Sequence, residues 1–135
     1  MTDRRNFLKT SAAAAVAVVL GSGSQAGAAE TGSYAGIVYT KDNPGQWAKK
    51  VGSHAPVIDF QNGKVTVTTK HGMSEAHFIV RHTLVLADGS VVGAKTFTPA
   101  DTPESTYDLP ADYSGEIYAT SFCNLHDFWL TEAMV

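Results

Sequence analysis

The sequence predicts an all-β domain, an immunoglobulin-like antiparallel β-sandwich of seven to eight strands, and three observations predict it. Short runs of β-branched and aromatic residues recur from residue 34 to the end of the chain. Asn-Gly and Asp-Gly turn pairs fall between them. No stretch keeps a helical period over enough turns to compete.

The first run, YAGIVYT at 34–40, is followed by KDNPGQWAKKVGSHA at 41–55, which reads as the longest irregular loop. Loops of that length in small sandwiches tend to carry function. PVIDF (56–60) and KVTVTTK (64–70) flank Gln61-Asn62-Gly63, a hairpin signal. HFIVRHTLVLA (77–87) and SVVGAKTF (90–97) flank Asp88-Gly89 in the same way. TYDL (106–109), GEIYATSF (115–122) and FWLTEAMV (128–135) complete the series. The 135 residues suffice for one compact domain.

The first 28 residues have a different character. Arg4, Arg5 and Lys9 precede the apolar run SAAAAVAVVL, and Ala26-Gly27-Ala28 fits a signal-peptidase site. The run is far shorter than the roughly 20 residues a membrane span needs. Paired arginines followed by Phe7-Leu8-Lys9 resemble the twin-arginine signal, so residues 1–28 are expected to be a cleaved export signal and 29–135 the mature domain, periplasmic or otherwise exported. Cleavage takes the formal charge from −3 to about −5. An acidic body without a basic stripe argues against nucleic-acid binding, and nothing after residue 30 is apolar enough for stable membrane insertion. A homo-oligomer is compatible with the sequence.

The chain has one cysteine, Cys123, and five histidines. A lone cysteine in an exported protein has no internal disulfide partner and is either buried, occupied, or paired between chains. His54 closes the long loop, His71 and His77 stand at the two ends of one connection, and His126 follows Cys123 by three residues. A turn at Asn124 would bring the thiolate and that imidazole together. These loop-borne residues can converge at one end of the sandwich. His82 has the opposite strand parity to His77 and reads as an ordinary strand histidine, alongside Phe78, Val80 and Leu84. Thiolate and imidazole together indicate a transition metal, and five such donors fit a square pyramid with one open position.

SFCNLHDFW resembles the Cys-Asn-x-His segment of the superoxide reductases, the desulfoferrodoxin and neelaredoxin family. HGMSEAHFI resembles that family's His-Pro-Met-x-x-x-His-Tyr-Ile, SHAPVI its His-Val-Pro-Val-Ile, and AKTFTPADTPES its Lys-x-Phe-x-Pro-Gly-Asp-x-Pro-Glu. The matches run in order from residue 54 to 130. The resemblance implies a mononuclear non-haem iron bound by His54, His71, His77 and His126, with Cys123 axial. It implies one-electron reduction of superoxide to hydrogen peroxide, with an external electron donor to re-reduce the iron. With one cysteine the chain resembles the single-iron type. Family members usually carry Glu-Lys immediately before the first histidine, where this chain has Gly52 and Ser53. Lys49 and Lys50 lie on the same loop, and Gly52 could let it bend either of them inward to supply the missing cation, with Lys50 the candidate catalytic residue.

Two other readings remain. A cupredoxin-like electron-transfer protein would use Cys123, His126, an upstream histidine and Met134 for copper. An iron-binding storage or sensor protein of the same fold would use the same ligands without turnover. Trp47 and Trp129 read as core or site-wall aromatics, and Glu75 as a solvated loop charge.

Replacing Arg4 and Arg5 with lysine should retain the precursor inside the cell, as cell fractionation would show. Normal export of that variant would overturn the signal assignment.

Overall fold

A computed structural model describes Tyr34 and residues 36–135. The expected export signal lies outside the described residues. Eight strands are present: β1 Val38–Tyr39, β2 Val57–Gln61, β3 Lys64–Thr68, β4 Ile79–Leu86, β5 Val91–Thr96, β6 Glu104–Asp108, β7 Glu116–Cys123 and β8 Asp127–Met134. One sheet runs β1-β8-β7-β4-β5 and the other β2-β3-β6. This is the all-β sandwich that the strand pattern predicts. The pairings are antiparallel apart from the short parallel contact of β1 with β8.

The turn chemistry works as the sequence requires. Asn62 and Gly63 both take positive φ, 53° and 77°, which is the left-handed geometry that matches strand twist in a two-residue hairpin. Gly89 does the same with φ 89°, while Asp88 Oδ1 accepts from the Ser90 amide at 2.9 Å. The 41–55 segment departs from expectation. It is not irregular: Gly45–Lys50 forms a 3-10 helix kinked at Trp47, and Val51–His54 adds one α-helical turn. Segments this short never complete the turns that a periodicity argument needs.

Between the sheets, Val65 and Val67 of β3, Leu84 and Leu86 of β4, Tyr107 of β6, and Ile117 and Ala119 of β7 form the main core. A smaller cluster at one end joins Ile79, Phe97 and Cys123, with Met73 packed against it. The two clusters are linked by an irregularity in β4. Ile79 pairs with Cys123 but Arg81 pairs with Phe122, so Val80 is an extra residue in the ladder, a β-bulge. The bulge shifts the parity: Ile79, His82, Leu84 and Leu86 all point inward. Simple alternation would put Phe78 and Val80 on the His82 face, and the bulge is why they are not there.

His82 sits in the core, 0 % exposed. Its Nδ1 is 2.8 Å from Ser105 Oγ and its Nε2 2.8 Å from Thr69 Oγ1, which is itself 2.8 Å from Ser121 Oγ. A buried imidazole with both nitrogens bonded to hydroxyls is satisfied in its neutral form. Burial, and secondarily the positive charge of Lys95, pushes its pKa down to about 4.

The unfolded chain therefore binds a proton at His82 that the folded chain refuses. The stabilising contribution is complete above about pH 6.5 and is lost as pH falls towards 4, by about 3 kcal/mol over that window. Urea unfolding across this range should show a shallower pH dependence for His82→Gln than for the wild type. Equal slopes would remove His82 as the cause.

Candidate metal centre

Four histidines and the cysteine reach the same end of the sandwich by different routes. His54 closes the helical turn Val51–His54, and His71 and His77 lie in the β3–β4 connection. Cys123 is the last residue of β7 rather than a loop residue, as the sequence pattern suggested. The chain then turns through 124–126, and the left-handed residue that redirects it is Asp127, with φ 62°, not Asn124.

The local backbone orients His54. Its Nδ1 lies 3.2 Å from the Lys50 carbonyl and 2.8 Å from Ser53 Oγ, and that hydroxyl donates to the same carbonyl at 3.3 Å. A carbonyl only accepts, so Nδ1 carries the proton and Nε2 presents a lone pair inward. His54 Nε2 is 3.0 Å from His126 Nδ1, which is 3.0 Å from His77 Nε2, which is 3.0 Å from His71 Nε2. The His54 and His71 rings are 4.6 Å apart between centroids. Three successive N···N separations of 3.0 Å are close to those between neighbouring nitrogens about 2.1 Å from one ion, an ordinary metal–imidazole bond length. Cys123 Sγ lies 3.7 Å from His126 Nδ1. The donor atoms of His54, His77, Cys123 and His126 all fall within 4.8 Å of one another. His71 lies outside that tightest group and joins it through His77.

The electrostatics favour the neutral form at His54, His71 and His126. Burial first, then the charges of His71 and His126, lower the His54 pKa to about 4. Burial and His77 lower that of His71, and burial with Lys50 lowers that of His126. Neutral imidazole is the ligating form, and with a thiolate it makes a donor set for one transition-metal ion. The residues present fit such an ion.

One side of the cluster is closed and the other open. Cys123 is 1 % exposed and packed with Ile79 and Phe97. Trp129 is fully buried and donates its indole N–H to the His126 carbonyl at 3.0 Å, while Trp47 meets the His126 ring edge-on at 4.7 Å. An open cleft of about 460 Å³ lies over His54, His71 and His77, with Lys50, Ser53 and Ser74 on its walls. Lys50 is half-buried there, whereas Lys49 is exposed and does not line the cleft.

Other expectations resolve against this geometry. His82 is in the core and takes no part. Met134 is 70 % exposed and pairs with Glu116 at the far end of β7 from Cys123, so it cannot be an axial copper ligand. Glu75 is exposed. Sequence reasoning missed the Ser53 and Lys50 contacts to His54, which follow from a helical turn too short to detect. It also missed the Asn124 side chain, which bonds to the backbone on either side of His77.

Fold and site define a small β-sandwich with a His/Cys metal centre, and comparison with known proteins is specific about its kind. Residues 45–132 match the desulfoferrodoxin family, and the chain belongs to that family. Residues 1–21 match the twin-arginine translocation signal, which marks the chain for export. No helix among the described residues is long and apolar enough to cross a membrane. A desulfoferrodoxin from Nitratidesulfovibrio vulgaris is 43 % identical over 83 residues, covering 59 % of this chain and 62 % of that protein's length. A superoxide reductase (neelaredoxin) from Ignicoccus hospitalis superposes with a TM-score of 0.61 at 27 % identity, over 73 % of this chain and 93 % of the other. The superoxide reductase from Treponema pallidum gives 0.51 at 29 % identity, over 59 % and 66 %.

Proposed function

We propose that the mature domain, residues 29–135, is a superoxide reductase that converts superoxide to hydrogen peroxide by one-electron reduction. His54, His71, His77, His126 and Cys123 would hold an iron ion, which would supply the one-electron chemistry of its ferrous and ferric states. The observation that carries this reading is the two-sided site: a buried cysteine sulfur on one side of the ring nitrogens and an open cleft on the other. Family membership and the named neighbours agree with it.

The protein's own groups account for the rest. The Ser53 and Lys50 contacts fix the His54 tautomer, and the lowered pKa values of His54, His71 and His126 favour their neutral form, which leaves one ring nitrogen of each free to ligate. Cys123 is shielded from solvent oxidants by its burial. Lys50 places a positive charge on the wall of the cleft, where Gly52 and Ser53 offer none, and draws the anionic substrate towards the open face of an otherwise acidic domain. The cleft admits the two protons that turn superoxide and one electron into hydrogen peroxide. An external donor returns the electron.

Cys123→Ser should abolish the sulfur-to-iron charge-transfer band of the oxidised protein, and His82→Ala should leave iron content and spectrum unchanged. Retention of the band in Cys123→Ser would take the thiolate out of the site.

Pulse-radiolysis rates separate the two lysines. Lys50→Ala should lower the second-order rate with superoxide roughly three- to tenfold, most clearly at low salt, and Lys49→Ala should have little effect. If the iron-loaded wild type consumed no superoxide with reductant supplied, iron storage or sensing would replace the reductase.

A further inference from the structure

The turn that carries His126 is tied to the segment that carries His77 by one side chain. Asn124 Oδ1 accepts from the Phe78 amide at 3.0 Å, and its Nδ2 donates to the Ala76 carbonyl at 3.1 Å. Its own backbone N–H donates to the Phe78 carbonyl at 3.2 Å. The three bonds bracket His77 on both sides. The β4–β7 ladder ends one residue earlier, with Ile79 opposite Cys123. Beyond that point the backbone leaves the sheet, and the primary amide takes over hydrogen bonds that a continuing strand would make. Both amide ends are used, and a flipped amide would set oxygen against oxygen and N–H against N–H. Turn geometry does not account for the residue, because the positive φ falls at Asp127.

We propose that Asn124 is a positioning residue for the metal centre. It fixes the separation of His77 Nε2 from His126 Nδ1, which is 3.0 Å, and holds both imidazoles in place beside the sulfur of Cys123. The inference rests on the ligand set of the proposed function but not on superoxide turnover.

Titration with cobalt(II) chloride, followed by the sulfur-to-cobalt charge-transfer band, reads affinity and geometry together. Asn124→Ala should raise the cobalt Kd by about 10- to 100-fold and shift or weaken the band, with far-UV circular dichroism unchanged. Asn124→Asp keeps the acceptor for Phe78 but sets an oxygen against the Ala76 carbonyl. It should also bind cobalt more weakly, although a bare charge effect would tighten binding. Wild-type affinity and band in Asn124→Ala, or tighter binding in Asn124→Asp, would overturn the proposal. If Asn124→Ala did not fold, Asn124→Asp decides by the same criterion. Absence of superoxide consumption together with these cobalt results would sink the reductase reading alone.

Discussion

The structure depends on holding ring nitrogens of four histidines against one another at 3.0 Å. At that separation a neutral ring can donate one N–H to its neighbour, but facing lone pairs repel and imidazolium rings would repel more strongly, so the cluster has little of its own to favour assembly. The cluster exists because the surrounding chain imposes it. Sheet register fixes Cys123, a helical turn fixes His54, and hydrogen bonds from one loop to another fix His77 and His126. A cation at the centre turns the same repulsive arrangement into an attractive one, which is how a metal comes to be selected by geometry as well as by ligand type.

The division of labour between strand and connection matters for the chemistry. The cysteine sulfur stands at the end of β7, packed with Ile79 and Phe97, where the backbone is paired on both sides. The imidazoles stand on the connections, each oriented by contacts of its own: His54 by Ser53 and the Lys50 carbonyl, His77 and His126 by the bonds between their two segments. The open face then differs from the closed one in charge as well as access, because Lys50 lines it and Cys123 does not.

Much of this was legible in the sequence, for identifiable reasons. Asn62-Gly63 announces its hairpin because few other pairs accept two left-handed residues. The convergence of His54, His71, His77 and His126 near Cys123 was legible because all five lie at strand ends or in connections, which a sandwich gathers at its two ends. The helical turn before His54 was not, since four residues carry no period. Which of Lys49 and Lys50 faces the cleft depends on the phase of that same turn. The role of Asn124 was hidden because the backbone it grips lies on another strand connection, and a residue suited to turns already had an explanation. The direction of Ile79 was hidden because a bulge is decided by strand pairing, with no signature in Val80 itself.

That bulge is what lets core and centre share one strand. Forced into strict alternation with all its residues, β4 would turn Ile79 away from Cys123 and bring Val80 to the inner face beside His82. Val80 can be exchanged for another β-branched residue without altering which neighbours point inward. Deleting it would join Ile79 directly to Arg81, with Ile79 still opposite Cys123 and Arg81 still opposite Phe122, so the facing of the side chains would survive. What the surplus residue adds is a local bend and extra twist at the point where the strand leaves the main core for the centre. In this domain the register of the ladder, and not the length of the strand, decides which side chain meets the cysteine.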